Sequence, residues 1–144
     1  MSPVSDSTPL PCRHIATISP ASPERRWLIE SLWGAQNVGL LAGQHKCHKT
    51  WLAAELALSV ATGSPALGRF PVPNPGPVLF FAAEDEPPEM RVRFDSLARA
   101  RGLDLQHAPI HLIDVPRLCL NDPAQFQRLH HTVEAIKPAL LVLV

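Results

Sequence analysis

The sequence predicts an α/β fold in which a mostly parallel sheet lies between two layers of helices, and two observations support this prediction. The apolar run over residues 78–83 lacks polar alternation, which is typical of a parallel strand buried on both faces. Such runs alternate with helical segments, and right-handed crossovers then give three α/β/α layers. At 144 residues with 46% hydrophobic content, the chain has the length and core material of one domain.

The first 26 residues predict a flexible arm ahead of a domain over 27–144, because they are rich in Ser, Pro and Thr. They lack the cationic start and apolar stretch of a signal peptide, and we expect no membrane association. Three cysteines without metal-site spacing favour a reducing cytoplasm over a disulfide framework. The formal net charge of zero provides no global basic field, so any DNA contact would be local.

A predicted strand over residues 38–41 runs into a loop that begins at Gly43 and ends in Lys49 and Thr50. The pattern is that of a GxxxxGK[ST] phosphate-binding loop, except that His48 replaces the second glycine. Backbone N–H groups of such loops wrap the phosphates, the lysine reaches the terminal phosphates and the hydroxyl binds Mg²⁺. We expect Gly43 to supply a turn with positive φ. His48 keeps the loop's path only if its backbone angles suit an L-residue and its imidazole points out of the cradle.

The helix that follows is predicted over residues 51–62 and is stopped by Gly63. It is apolar nearly all round, which predicts deep burial against the sheet. Its N-terminus carries unpaired N–H groups and a partial positive charge, so it suits phosphate. A proline-rich connection over residues 65–77 then leads to the next strand.

That strand ends in Glu84, Asp85 and Glu86, at the edge where α/β sheets place their ligand chemistry. Glu84 is suited to orient and deprotonate a water that attacks a γ-phosphate. The same acidic residues also fit the N-cap and first turn of the next helix. Both interpretations hold together if Glu84 is functional and Asp85 or Glu86 caps the helix.

Two more α/β units follow. A helix over residues 89–101 is stopped by Gly102, and a short strand is predicted over 110–113. Asp122 as N-cap and Gln125 at the capping-box position predict the last helix. Its predicted inward-facing residues are Phe126, Leu129, Val133 and Ile136.

Together these motifs resemble the RepA-like, RecA-fold P-loop ATPases of the AAA family, which include plasmid and phage hexameric replicative helicases. The resemblance is carried by residues 27–34, 43–50, 51–63 and 78–85. Its most specific parts are a helix that opens Lys-Thr-Trp-Leu-Ala and closes Ala-Thr-Gly, and a strand that ends Ala-Ala-Glu-Asp. Members often carry a bulky residue in place of the second loop glycine. The resemblance implies a RecA-like core, ATP hydrolysis, a ring-shaped homo-oligomer in the complete protein and single-stranded DNA as a partner.

The resemblance also implies roles for individual residues. ATP and Mg²⁺ are the implied cofactors, with Lys49 and Glu84 as catalytic residues and Thr50 and Asp85 as metal ligands. The implied nucleotide-binding residues are Gly43, Gln44, His45, Lys46, Cys47, His48, Lys49, Thr50 and Trp51.

The last segment, residues 138–144, resembles the Walker B strand, which in the family ends in an aspartate that holds the Mg²⁺-bound water. Val144 stands at that position, or the aspartate would come just after it. The resemblance therefore implies a C-terminally truncated domain. One alternative is a catalytically inactive nucleotide-binding or interaction module. A further alternative is a RecA-like recombinase or regulatory ATPase, which only residues beyond Val144 would distinguish.

Two groups of side chains have more than one interpretation. The arginines of the 89–101 helix are expected on a solvated face rather than against DNA or a neighbour's nucleotide. The tryptophans are expected in packing contacts rather than stacked on adenine. The residues concerned are Arg91, Arg93, Arg99 and Arg101, and Trp27, Trp33 and Trp51.

Cys47 lies inside the loop beside Lys46 and Lys49 and close to a helix N-terminus, a setting that promotes thiol reactivity. Alkylation of Cys47 is therefore expected to block nucleotide binding. Mass spectrometry of the alkylated chain, with and without ATP, checks this. Equal rates of Cys47 modification in the two samples would contradict its placement at the site.

Overall fold

The computed structural model describes residues 11–19 and 27–144, so most of the predicted arm lies outside the described residues. The arm's described part is exposed and contains a 3₁₀ helix at Ile15–Thr17. The remaining elements, in chain order, are β1 (Trp27–Ile29), β2 (Trp33–Gly34), α1 (Lys49–Thr62), β3 (Val78–Phe81), α2 (Pro87–Ala100), a 3₁₀ helix at Leu105–His107, β4 (Ile110–Leu112), α3 (Pro123–Ile136) and β5 (Leu140–Leu143).

Three of the strands form a parallel sheet in the order β4-β3-β5. Val78 lies opposite Ile110 on one side and Leu140 on the other. The crossovers β3-α2-β4 and β4-α3-β5 each contain a helix, as parallel strands require. β1 and β2 form a separate antiparallel pair. The chain thus has a mixed α/β structure with a three-stranded parallel sheet flanked by helices, which is compatible with a P-loop core.

The hydrophobic core lies where α1 and α2 pack against the sheet face that bears Val78 and Phe80. All four residues of β3 are buried, as the unbroken apolar run predicts. The rings of Phe80 and Phe94 meet edge to face, with their centroids 5.5 Å apart. The predicted deep burial of α1 is confirmed, and its buried residues are Ala53, Ala54, Glu55, Ala57, Leu58, Ser59, Val60 and Ala61.

The other sheet face bears Leu79. On that face, Leu79 and Leu129 of α3 line a common groove. Leu129 is the buried residue of α3, whereas Phe126 is 53% exposed, so the prediction that Phe126 faces inward was wrong. Helical spacing predicts a common face for these residues, but it does not predict how far the surface beneath them extends.

α3 begins at a side-chain cap, as predicted. The carboxylate of Asp122 accepts hydrogen bonds from the backbone N–H groups of Ala124 and Gln125. The side chain of Gln125 donates to the other carboxylate oxygen and accepts from the N–H of Cys119, rather than from the N-cap N–H of a capping box. Hydrogen bonds from the Gln125 side chain and from the two N–H groups lower the pKa of Asp122.

The strand predicted over residues 38–41 does not form. Val38 and Leu40 are exposed, while Leu41 is half-buried. The segment 39–41 and strand β5 line a common apolar groove of about 140 Å³. An apolar extended segment becomes a strand only when a neighbour accepts and donates its backbone hydrogen bonds. Among the described residues no strand pairs with 38–41. The predicted strand was therefore wrong because the segment has no pairing partner there.

Arg101, just after α2, forms a cluster of hydrogen bonds with α1 and the connection that follows α1. Its Nη1 donates to Glu55 Oε1 and to Ser59 Oγ, both at 2.8 Å. Its Nη2 donates to Ser64 Oγ at 2.8 Å and to the carbonyl oxygen of Pro65 at 2.6 Å. The prediction of a solvated face was therefore wrong for Arg101, which ties the end of α2 to α1.

None of the helices within the described part of the chain is long and apolar enough to cross a membrane.

Candidate functional site

The loop before α1 and the segment that follows β3 line a common groove of about 420 Å³. The N-terminus of α1 lies at this groove, and no side chain caps that end. The structure therefore brings together residues that are far apart in sequence, as the motifs predict. The lining residues are His45, Lys46, Cys47, His48, Lys49, Thr50, Trp51, Glu84, Asp85 and Arg93.

Lys49 folds back over its own loop. Its ammonium group donates to the carbonyl oxygen of Gln44 at 2.8 Å and to that of Gly43 at 3.2 Å. The positive charge therefore lies inside the loop, beside the N-terminus of α1. Carbonyl oxygens are weaker acceptors for an ammonium than phosphate oxygens, because a hydrogen bond between two charged groups is the stronger one.

Gly43 has a different role from the one predicted. Its φ is not positive, so the predicted left-handed turn was wrong. A Cβ at this position would instead lie 2.6 Å from Cys47 Sγ, which is closer than real contacts allow. Cys47 is exposed, and its Sγ lies 3.9 Å from Lys49 Nζ. Glycine at position 43 thus allows the two ends of the loop to approach each other.

His48 adopts the left-handed conformation, with φ 62° and ψ 28°. Glycine enters this region freely, whereas an L-residue is strained there by about 1–2 kcal/mol. His48 therefore meets the condition that its angles suit an L-residue, but it does so within the small left-handed region. The loop keeps at position 48 the backbone conformation that favours the motif's usual glycine.

Glu84 is exposed at the end of β3 and lines both the loop groove and an adjoining groove of about 410 Å³. The predicted capping position is confirmed for Glu86 and wrong for Asp85. Glu86 is the N-cap of α2 but makes no side-chain cap bond. Pro87 and Pro88 occupy the first two helical positions and have no N–H to donate. The carboxylate of Asp85 instead accepts a hydrogen bond from Arg93.

A family model of AAA domains, AAA_25, matches residues 7–144. The chain belongs to this AAA-domain family. Membership indicates a nucleotide-binding ATPase module, in agreement with a loop, a helix N-terminus and an acidic strand end around one groove. Neither the curated proteins nor the solved structures gave a match to the chain.

Arg93 is a residue of this AAA domain's groove that the sequence interpretation missed. Its guanidinium donates to Asp85 at 2.5 Å, and its Cζ lies 5.6 Å from the ring centroid of Trp51. The solvated-face prediction was therefore wrong for Arg93. A sequence signal was present, because Arg93 falls on the same helical stripe as the core residues Met90 and Phe94.

Trp51 is half-buried, and its ring packs against Arg93 at the rim of the groove rather than in the buried core. The predicted packing contact thus exists, but the partner is a cation of the site. The ring and the guanidinium attract each other through the ring quadrupole. Trp51 therefore helps to hold Arg93 near the loop.

Oxygen donors for Mg²⁺ are present in the groove, since Thr50 and Asp85 both line it. The described residues contain no group of three or more His, Cys, Asp or Glu side chains that could hold a metal ion by themselves. Mg²⁺ commonly binds through one or two protein oxygens together with water and substrate phosphates. The groove therefore fits a metal that arrives with a nucleotide.

Replacing Arg93 tests whether the charge balance of this groove controls anion binding. Arg93→Ala leaves the carboxylate of Asp85 unpaired beside the phosphate loop. We expect about tenfold weaker binding of an ATP analogue without Mg²⁺, because a close charge pair of this kind contributes about 1.5 kcal/mol or more. Fluorescence titration measures the change. Arg93→Ala combined with Asp85→Asn should recover most of the affinity, and Arg91→Ala is the control on the exposed side of α2.

Replacing His48 tests the backbone strain in the loop. His48→Gly removes the left-handed strain, partly offset by about 0.5–1 kcal/mol of extra glycine entropy in the unfolded chain. We expect a net rise in the urea midpoint of unfolding. The matched control is His45→Gly, because the φ of His45 is not positive and glycine there should lower the midpoint. A midpoint that falls equally in both variants would contradict the strain at His48.

Proposed function

We propose that the chain is an Mg²⁺·ATP-binding ATPase module of the RepA-like, RecA-fold type, with a domain that begins near residue 27. One observation carries the proposal: the loop ending in Lys49 and Thr50, the uncapped N-terminus of α1 and Glu84 line a single groove. Membership of an AAA-domain family supports it.

The nucleotide phosphates would lie between the loop and the first turn of α1. The N–H groups of that turn have no acceptor within the helix and carry its positive end, so they favour an anion. Lys49 would leave the carbonyl oxygens of Gly43 and Gln44 for the terminal phosphates. Thr50 and Asp85 would supply oxygen atoms to Mg²⁺, which neutralises phosphate charge.

Glu84 is proposed as the residue that orients the attacking water and accepts its proton. Its carboxylate is exposed at the C-terminal end of β3, beside the loop. A carboxylate at the rim of a phosphate site can take a proton from water while the loop holds the leaving phosphates. The coupling of hydrolysis to single-stranded DNA in a ring-shaped homo-oligomer is proposed from the resemblance to replicative helicases.

Titration of the purified chain with a fluorescent ATP analogue, with and without Mg²⁺, tests the proposal. We expect saturable binding that Mg²⁺ strengthens and that unlabelled ATP and ADP compete for, while adenosine does not. The same fluorescence change with adenosine would place recognition outside the phosphate loop. A chain that unfolds cooperatively but shows no saturable binding would refute the proposal.

A second candidate function is a nucleotide-binding or interaction module without hydrolysis. Three observations favour it: Lys49 is bonded to loop carbonyls, Asp85 is bonded to Arg93, and His48 is strained. A phosphate-release assay on the chain saturated with Mg²⁺·ATP distinguishes the two functions. Release that disappears in Glu84→Gln supports the ATPase, and binding without release supports the second candidate.

A further inference from the structure

β4 forms one border of the parallel sheet, because the strand order is β4-β3-β5. Within residues 11–19 and 27–144, no strand pairs with its outer edge. Such an edge presents backbone N–H and C=O groups that an extended peptide can pair with, although the N–H of Ile110 already donates to the carbonyl oxygen of Ala108.

A groove of about 800 Å³ lies beside β4 on the sheet face covered by α3. Its apolar part includes Leu79, Leu112 and Leu129, and its lining contains neither a carboxylate nor an aromatic ring of Phe or Trp. Arg117 and Arg128 also line it, and both are exposed. In the described part of the chain, neither guanidinium has an ion-pair or hydrogen-bond partner. The groove therefore combines an apolar surface with two uncompensated positive charges.

A second groove, of about 170 Å³, lies beside the same strand on the face covered by α2. Met90, Phe94 and Ile110 line it, and Leu112 lines both grooves. Successive side chains of a strand point to opposite faces of its sheet. A strand added to β4 would therefore place alternate side chains in the two grooves.

We propose that the outer edge of β4 binds an extended acidic segment of a partner protein, which adds a strand to the sheet. Its backbone would pair with β4, one set of its side chains would enter the apolar groove by Met90 and Phe94, and the other set would carry carboxylates toward Arg117 and Arg128. The charges favour this occupant, because an acidic segment complements two unpaired guanidiniums. The larger groove has the imidazole of His111 but no ring of Phe or Trp, which disfavours single-stranded nucleic acid, because such rings provide most base stacking.

The probe for this surface is a fluorescein-labelled peptide, Val-Glu-Val-Leu-Val-Glu-Val, titrated by anisotropy against the full chain without nucleotide. We expect saturable binding. Binding should be lost when the peptide is N-methylated at every second residue, in the set whose N–H groups face β4. Replacing both glutamates by lysine should also abolish binding. Arg117→Glu combined with Arg128→Glu should weaken binding about tenfold or more, because charges of the surface and the peptide then repel. Arg99→Glu makes half that charge change on an exposed part of α2 and should leave binding unchanged.

Four results would overturn the proposal. The first is the absence of saturable binding, or equal binding of the lysine peptide. The second is binding that persists whichever of the two alternating sets of peptide residues is N-methylated, because an added strand needs the N–H groups of one of those sets. The third is self-association in sedimentation velocity that Arg117→Glu with Arg128→Glu abolishes, which would assign the edge to a second copy of the chain. Displacement of the peptide by an oligothymidylate would assign the groove to nucleic acid instead.

Discussion

Arg101→Ala is expected to lower the free energy of unfolding by about 3–5 kcal/mol, a large part of the roughly 5–15 kcal/mol that stabilises a domain. The side chains of Arg101 and Glu55 are only 18% and 11% exposed, so the carboxylate left behind would be a nearly buried, unpaired charge. Ser59 is fully buried and would lose the same guanidinium. The variant should therefore loosen the packing of α2 on α1.

Urea denaturation followed by circular dichroism measures this effect. Arg99→Ala is the matched control, because Arg99 is exposed near the end of the same helix and its loss should change stability by less than about 0.5 kcal/mol. Arg101→Met combined with Glu55→Leu removes both charges and should recover much of the loss. Equal midpoints for Arg101→Ala and Arg99→Ala would show that the cluster does not hold the helices together.

Lys49→Ala is expected to weaken binding of the ATP analogue by about 1.5–3 kcal/mol, roughly 10-fold to 150-fold, because it removes a charge-assisted hydrogen bond to phosphate. Without nucleotide, the lysine donates to exposed loop carbonyls and, over 3.9 Å, to Cys47 Sγ. Water can replace those hydrogen bonds, so the stability of the variant should change little. A loss of affinity at unchanged stability would therefore report a lost contact and not a lost fold.

Titration of Lys49→Ala beside Lys46→Ala measures this difference. Lys46 is exposed in the same loop, and its φ is 63°. Because its side chain is exposed, its replacement removes the same charge without emptying the loop interior. We expect a much smaller loss for Lys46→Ala. Equal affinities for Lys49→Ala and the parent chain would refute the assignment of the phosphate loop.

The elements that depend on neighbours in sequence could be predicted from the sequence. α1 follows from its helix-forming and nearly all-apolar composition, α2 follows from its apolar periodicity, and the N-cap of α3 follows from Asp122 and Pro123. Gly63 ends α1 in the left-handed conformation, as a glycine after a helix predicts. The same is true of β3, because an unbroken apolar run needs cover on both faces. Hydrogen bonds and burial patterns of this kind span a few residues, so they appear in the sequence.

The placement of partners from distant parts of the chain was decided only by the tertiary structure. Arg101 has similar surroundings in sequence to the exposed Arg99, yet Glu55 binds it, and the helical stripe that Arg93 shares with core residues does not identify Asp85 as its partner. Residues 38–41 have the apolar pattern of a strand but lie without a pairing neighbour among the described residues. The sequence by itself thus determined the local elements and the phosphate-loop motif, because both depend on short-range chemistry. The charge pairing around that loop depends on which distant groups the fold brings within hydrogen-bond distance, and only the tertiary structure contains that information.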